Sequence, residues 1–292
     1  MRIARIIHES SPFPVIALER DGALYDVAEL DLRFATERTR ELVGGACDFF
    51  SRIIALGGAG LDELDQRLAA GYRPTEARLA PGSFLWLPPC DSDRALLVHV
   101  THDAAGELAV RLGNARSILG HEATTAFPHG ETRPALELGI AAIVGDDLRH
   151  TTVSAARRAI LGAAIVNDWA ARDLEARGFG TLRCRDFATQ LGPALVTIEA
   201  LDGAPLLRAQ IRVGGAIVAE GALPDPLAAL AEAVACASQL VELHAGDIVT
   251  LATPLGPIDP IAYGAPVELL IERLGKLVGT AARGPALGDW RR

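Results

Sequence analysis

The sequence predicts a β-rich α+β protein with a small N-terminal α/β domain, on three observations. From Ala95 onward, apolar runs of strand length outnumber helical stretches and do not alternate with them regularly. That order disfavours Rossmann and TIM-barrel architectures, which need repeated βαβ units. The first 75 or so residues combine a strand meander with helical spacing. Between the two parts, residues 74–89 are rich in Pro and turn residues, which places a boundary there and divides the chain into 1–75 and 76–292.

The elements follow in order. Residues 2–7 and 15–18 alternate like strands around the turn-like Ser10-Ser11-Pro12, and Asp21-Gly22 is a hairpin turn leading into 23–27. Leu42, Cys47, Phe49, Phe50, Ile53 and Ile54 keep helical spacing over 36–56, closed by Gly57-Gly58. A second short helix covers 61–70 and stops at Gly71. Residues 95–100 form a buried strand, and 136–144 form a nearly unbroken apolar run ended by Gly145-Asp146-Asp147. A helix over 153–164 precedes Ile165-Val166-Asn167-Asp168. Residues 195–198, 208–213 and 216–219 read as strands, the last two joined by Gly214-Gly215. Asp225 is placed to cap a helix that has Pro226 at its first position and runs to Leu240. Residues 248–251 and 267–271 are the closing strands.

Composition narrows the chemistry. The 292 residues carry 28 basic and 37 acidic side chains, a formal net charge of −9, and 27 of the 28 basic residues are Arg. Lysine chemistry would have to use Lys276 or be absent. The acidic balance argues against nucleic acid, because phosphate binding needs a positive face. No apolar run reaches the ~18–20 residues of a membrane helix, and the N-terminus meets His8 and Glu9 too soon for a signal peptide. Cysteines 47, 90, 184 and 236 form no C-x-x-C pair, so free thiols in a cytoplasmic protein are expected.

Several motifs fail. His121-Glu122 opens like a zinc-protease helix, but Thr125 stands where the second His is needed. His99 and His102 are three apart in a strand-like run, so alternation sends them to opposite faces. One constellation survives. Glu137 opens an apolar strand, and Asp168 ends another just before Arg172 and Asp173. Two carboxylates from adjacent strands suit Mg²⁺ or Mn²⁺, hard cations that take oxygen ligands. The same residues equally fit a capped turn and a structural ion pair.

Residues 167–174, Asn-Asp-Trp-Ala-Ala-Arg-Asp-Leu, resemble the N-D-x-S-A-R-D signature of the fumarylacetoacetate hydrolase superfamily. Residues 185–193, Arg-Asp-Phe-Ala-Thr-Gln-Leu-Gly-Pro, are similar to its K-D-F-A-T-S-L-G-P segment. Residues 245–254 and 267–275 resemble its P-G-D-V-I…G-T-P and V-E-V-E-I-E-G-L-G segments. The resemblance implies a mixed β-roll with a smaller N-terminal domain, assembled as a homodimer. It also implies a divalent cation that chelates a small 2-oxo or 1,3-dicarbonyl acid and stabilises an enolate. C–C hydrolysis, decarboxylation, hydration and isomerisation are the implied reactions.

Carried over residue by residue, Glu137 and Asp168 match metal ligands, while Gly139 stands where the second Glu of E-x-E belongs. A metal held by two carboxylates is weakened or absent. Arg185 replaces the family's lysine; it cannot carry a proton but can clamp a carboxylate. His102 and Glu107 are the nearest counterparts of the H-x-x-E lid pair, and Arg172, Asp173 and Thr253 remain as substrate anchors. Two readings follow: an enzyme with altered chemistry, or a catalytically silent member that binds a small acid or serves as a subunit of a hetero-oligomer. A metal-free lyase or isomerase using Arg185 and Asp168 is a third, without a signature of its own.

Overall fold

The computed structural model describes residues 1–9, 11, 14–30 and 49–285. The expected turn residues Ser10 and Pro12, the expected helix over 36–48, and Cys47 lie outside these. The N-terminal strands are β1 (Arg2–His8), β2 (Val15–Arg20) and β3 (Ala23–Asp26), followed by helices α1 (Val27–Leu30) and α2 (Phe49–Ala69). Next come β4 (Arg78–Leu79), β5 (Phe84–Leu87), β6 (Leu97–His102), β7 (Leu108–Gly113), β8 (Ile118–Leu119) and β9 (Ala123–Phe127). Strands β10 (Pro134–Ala135) and β11 (Leu138–Val144), helix α3 (Val153–Ala159), and strands β12 (Ile160–Asp168) and β13 (Ala170–Ala171) follow. Helices α4 (Arg172–Ala176) and α5 (Thr181–Cys184) lead to β14 (Thr189–Thr197), β15 (Leu206–Val213) and β16 (Ala216–Pro224). The chain closes with α6 (Pro226–Leu240), β17 (Ile248–Ala252), β18 (Pro266–Ile271) and β19 (Gly275–Arg283).

The fold is β-rich α+β, as the sequence predicts. Among the described residues a twelve-stranded sheet runs β4-β3-β2-β1-β14-β12-β11-β17-β6-β7, with β5 on β1 and β8 on β14. A five-stranded sheet runs β16-β15-β18-β19-β9. The N-terminal strands join the large sheet through β1 and β14, with Arg2 opposite Val196 and Ile3 opposite Leu195. One apolar cluster contains Ile3, Leu18, Leu64 and Leu68 together with Ile143, Leu195 and Ile248. The sheet and its core thus run across the expected boundary near residue 75.

Strand β11 is buried at every position, because both of its faces are covered. One face, with Ile140, Ala142 and the neighbouring Val249 and Leu251, shares a core with Leu227, Leu230, Ala231 and Val234 of α6. The Asp225 side chain accepts from the Ala228 N–H, so the expected cap and first-turn Pro both hold. The Asp21-Gly22 and Gly214-Gly215 turns have positive φ at both residues, the geometry a tight hairpin requires.

Several element boundaries differ from expectation, three of them with a clear cause or consequence. Gly57-Gly58 does not end a helix: α2 runs unbroken from Phe49 to Ala69. A glycine costs a helix about 1 kcal/mol against Ala without breaking it, and Ile53, Leu61, Leu64 and Leu68 bury one face. The helix after Thr152 stops at Ala159, where Ile160 enters β12, so the pairing of β12 with β11 and β14 wins over helical spacing. Strand β19, which carries Lys276, extends beyond the expected closing strands.

The segment that follows β12 is anchored by aromatic packing. Phe127 and Trp169 are buried with ring centroids 5.6 Å apart, and Phe127 also meets Phe187 at 5.0 Å and Tyr263 at 5.9 Å. Phe127→Ala is expected to destabilise the fold by ~3–5 kcal/mol, the range for emptying a buried aromatic site. A urea denaturation series would read this as a lower midpoint at unchanged slope; an unshifted midpoint would show that the cluster does not anchor this segment.

Candidate active site

Strand register brings Glu137 and Asp168 together. Glu137 N donates to Asp168 O at 3.1 Å and Asp168 N donates to Glu137 O at 3.0 Å. A residue pair exchanging both backbone bonds faces directly across an antiparallel ladder, so the two side chains emerge on one face. The same face continues through Val166, Gly139, Ala252, Thr250 and His99 to Arg111, because Gly139 lies opposite both Val166 and Ala252, Thr250 opposite His99, and His99 opposite Arg111. These residues line a cleft of about 270 Å³, which Glu175, Thr181 and Arg185 border from α4, α5 and the residue after it.

The cleft is filled with guanidinium–carboxylate contacts. Arg185 Nη1 lies 2.9 Å from Glu137 Oε1 and 3.6 Å from Asp168 Oδ2, and its Nε is 3.2 Å from Glu175 Oε1. Arg172 donates to Glu137 Oε1 and to Glu175 Oε2, each at 2.6 Å. Arg111 donates to Asp168 Oδ2 at 3.0 Å and pairs with Asp186. Three arginines therefore meet four carboxylates, and the guanidinium of Arg185 bridges Glu137 and Asp168.

Burial sets the protonation states. The Asp168 carboxyl is pushed above the ordinary carboxylate range by burial, which outweighs the nearby Arg111 and Arg185; its Oδ1 is buried without a hydrogen-bond partner. Burial, with Arg111 adding to it, pulls His99 down to about 3, so its ring is neutral around pH 7. His99 Nδ1 lies 3.1 Å from Thr250 Oγ1. Burial lowers the tendency of Arg185 to hold its proton, but Glu137, Asp168 and Glu175 more than reverse this, and its charge is permanent.

These residues do not fit the divalent cation that the motif resemblance implies. Glu137 Oε1 is already taken by two guanidiniums, and Asp168 Oδ2 by Arg111. A dication between them would sit against a permanent positive charge. No third ligand is at hand: among the described residues no three His, Cys, Asp or Glu side chains converge on one point. Position 139 offers no room for one, since a Cβ there would come within 2.7 Å of Val166 Cγ1 and 2.9 Å of the Leu251 carbonyl oxygen.

The sequence-derived candidates divide. Glu137, Asp168, Arg185 and Arg172 converge. Asp173 turns away: its Oδ2 accepts from Thr132 Oγ1 at 2.6 Å. The Thr253 hydroxyl is spent on the Leu138 carbonyl at 2.8 Å. Glu107 is exposed in the β6–β7 hairpin and His102 is exposed at the end of β6, opposite in facing to the buried His99. His99 and His102 alternate as expected, and neither His102 nor Glu107 lines the cleft. Lys276 pairs with Glu268 at 2.8 Å, outside the cleft. Sequence reasoning missed Arg111, Glu175, Asp186, His99 and Thr250. Asp186 lies within a recognised motif and Glu175 directly follows one; Arg111 carries no local signal.

The match to the family model for the fumarylacetoacetate hydrolase C-terminal domain covers residues 97–282. The chain is 29% identical over 161 residues to a maleylpyruvate hydrolase of Aquipseudomonas alcaligenes, covering 55% of each protein. It is 28% identical over 174 residues to a mitochondrial oxaloacetate tautomerase of Homo sapiens, covering 56% of this chain and 55% of that one. The chain thus matches about half the length of each of these two relatives. A maleylpyruvate hydrolase from Sphingobium sp. SYK-6, solved with manganese(II) ion and pyruvate, shares the fold with a TM-score of 0.68 at 18% identity, over 98% of this chain and 100% of that one. The chain belongs to the fumarylacetoacetate hydrolase family.

Two measurements test this geometry. Gly139→Glu, which restores the family ligand, is expected to cost ~1–3 kcal/mol through overpacking and to gain no manganese affinity by calorimetry. A variant that keeps wild-type stability and binds manganese would contradict the closed floor. The His99 ring resonances should stay flat in an NMR titration between pH 5 and 8, roughly the window in which an unperturbed His titrates. The unfolded chain takes up that proton near pH 6.5 whereas the folded one resists it until about 3, so His99 makes stability fall as pH drops from about 6.5 towards 3. A midpoint near 6.5 would place the ring in solvent.

Proposed function

We propose that this member of the fumarylacetoacetate hydrolase family acts on a small 2-oxo acid without a divalent cation, with Arg185 as the fixed positive charge of its site. The observation that carries this reading is the Arg185 guanidinium placed 2.9 Å from Glu137 and 3.6 Å from Asp168. Proton transfer next to the 2-oxo group is the reaction these groups serve. Arg185 and Arg111 meet the acid's carboxylate and its 2-oxo oxygen through charge-assisted hydrogen bonds. Those donors gain strength as negative charge builds on that oxygen in the enolate. Asp168 takes the proton from C3 and returns it, and its raised pKa brings it nearer the pH at which a general base works best. The human relative is an oxaloacetate tautomerase, an enzyme named for such a proton shift.

A second reading has its own observation. Every guanidinium in the cleft is already paired with a carboxylate, which suits a catalytically silent binder of small acids. Exchange of the C3 hydrogens of pyruvate or 2-oxobutyrate in D₂O, followed by proton NMR, separates the two. The expected result is protein-dependent exchange that EDTA and added manganese leave unchanged. Asp168→Asn should slow it by roughly 100-fold or more, the typical contribution of a positioned base. The rate should fall with decreasing pH at a midpoint above the ordinary 3.8 of an aspartate, because the ionised carboxylate is the active form. Binding without exchange would establish the silent reading, and exchange that requires manganese would overturn the metal-free site.

A further inference from the structure

Glu137 borders two spaces. One is the charged cleft. The other, which shares Thr101, Glu137 and Ala252 with it, is a chamber of about 560 Å³ between the end of β17 and the start of α6. The chamber's volume falls within the about 300–1,000 Å³ typical of small-molecule sites and the cleft's falls just below it. The chamber differs in chemistry from the cleft. Ile140, Leu223, Pro226, Ala229, Leu251 and Pro257 supply apolar walls. Among the described residues no arginine or lysine lines it. Thr253 is at its wall, but that hydroxyl is committed to the Leu138 carbonyl. Its remaining polar side chains are Thr101, His102 and Glu137, and the last also lines the cleft.

We propose that the chamber holds the apolar tail of the substrate, so that the ligand is a 2-oxo monoacid with an alkyl or aryl tail and not a short diacid. The inference rests on the 2-oxo acid reading above. The head group lies among the arginines, and the chain beyond C3 passes Glu137 into the chamber. A second carboxylate there would give up hydration against apolar walls and meet no guanidinium in the lining. An apolar tail loses only its contact with water, and each methylene so buried is worth about threefold to fourfold in affinity. This distinguishes the site from that of a protein selecting oxaloacetate, whose distal carboxylate needs a cationic partner.

Calorimetric titration with pyruvate, 2-oxohexanoate, 2-oxooctanoate, phenylpyruvate, oxaloacetate and 2-oxoadipate tests the proposal. Affinity is expected to rise about tenfold or more from pyruvate to 2-oxohexanoate, with the diacids weaker than monoacids of the same length. Ala229→Trp should bring the ratio of 2-oxooctanoate to pyruvate affinity close to one. Ala229→Leu should lower it part-way, which keeps the test open if the larger variant fails to fold. Flat affinity along the series, or tighter binding of 2-oxoadipate than of 2-oxohexanoate, would overturn the tail assignment while leaving the 2-oxo acid reading intact. If no acid binds, the 2-oxo acid reading fails. Then 2-octanone, which keeps the tail and lacks the carboxylate, decides the chamber: binding lost in Ala229→Trp retains it as an apolar site, and no binding overturns it as well.

Discussion

The site depends on one constraint: the backbone ladder holds two carboxylates face to face. Glu137 and Asp168 exchange both of their main-chain hydrogen bonds, so neither can leave without breaking the pairing of β11 with β12. Like charges so placed repel unless a cation lies between them or one of them takes a proton. A guanidinium provides the cation here. Arg185 leaves the C-terminal end of α5, bridges both acids, and draws in Glu175, which in turn holds Arg172. Burial of Asp168 supplies the second relief by favouring its neutral form. The rest of the cluster is arranged around these two compensations.

A guanidinium between the two carboxylates offers different chemistry from a metal ion. A divalent ion binds oxygen ligands on several sides and can carry a bound water, whereas a guanidinium donates hydrogen bonds in one plane and cannot lose its proton. Gly139, Ala252 and Ala109 contribute small or no side chains to the cleft lining beside Arg185 and Arg111, and Val166 with the Leu251 carbonyl closes the position where another ligand would stand.

Much of this was legible in the sequence, and the gaps have physical causes. The Asp225-Pro226 helix start and the two glycine turns are set by local chemistry, and they appear as expected. Asp168, Arg172 and Arg185 were recognisable because each lies in a contiguous motif, and Glu137 because a lone carboxylate opens an apolar strand. Arg111 was not, because it reaches the cleft only through the order β11-β17-β6-β7, which sets strands far apart in sequence side by side. His99 read as a buried strand residue and is one, but its nearness to Asp168 at 3.8 Å comes from the same nonlocal register. Thr253 and Asp173 kept their motif positions while their side chains turned to Leu138 O and Thr132. A motif gives residue type and order, and it does not give side-chain direction. The α2 boundary failed for a different reason: burial of one helix face outweighed a glycine pair.

The central claim is that Arg185 occupies the place of a divalent cation between Glu137 and Asp168. Diffraction from crystals grown with excess manganese, recorded at the manganese absorption edge, tests it most directly. The account predicts continuous guanidinium density bridging the two carboxylates and no anomalous peak between them. An anomalous peak ligated by Glu137 and Asp168, with Arg185 displaced, would contradict it.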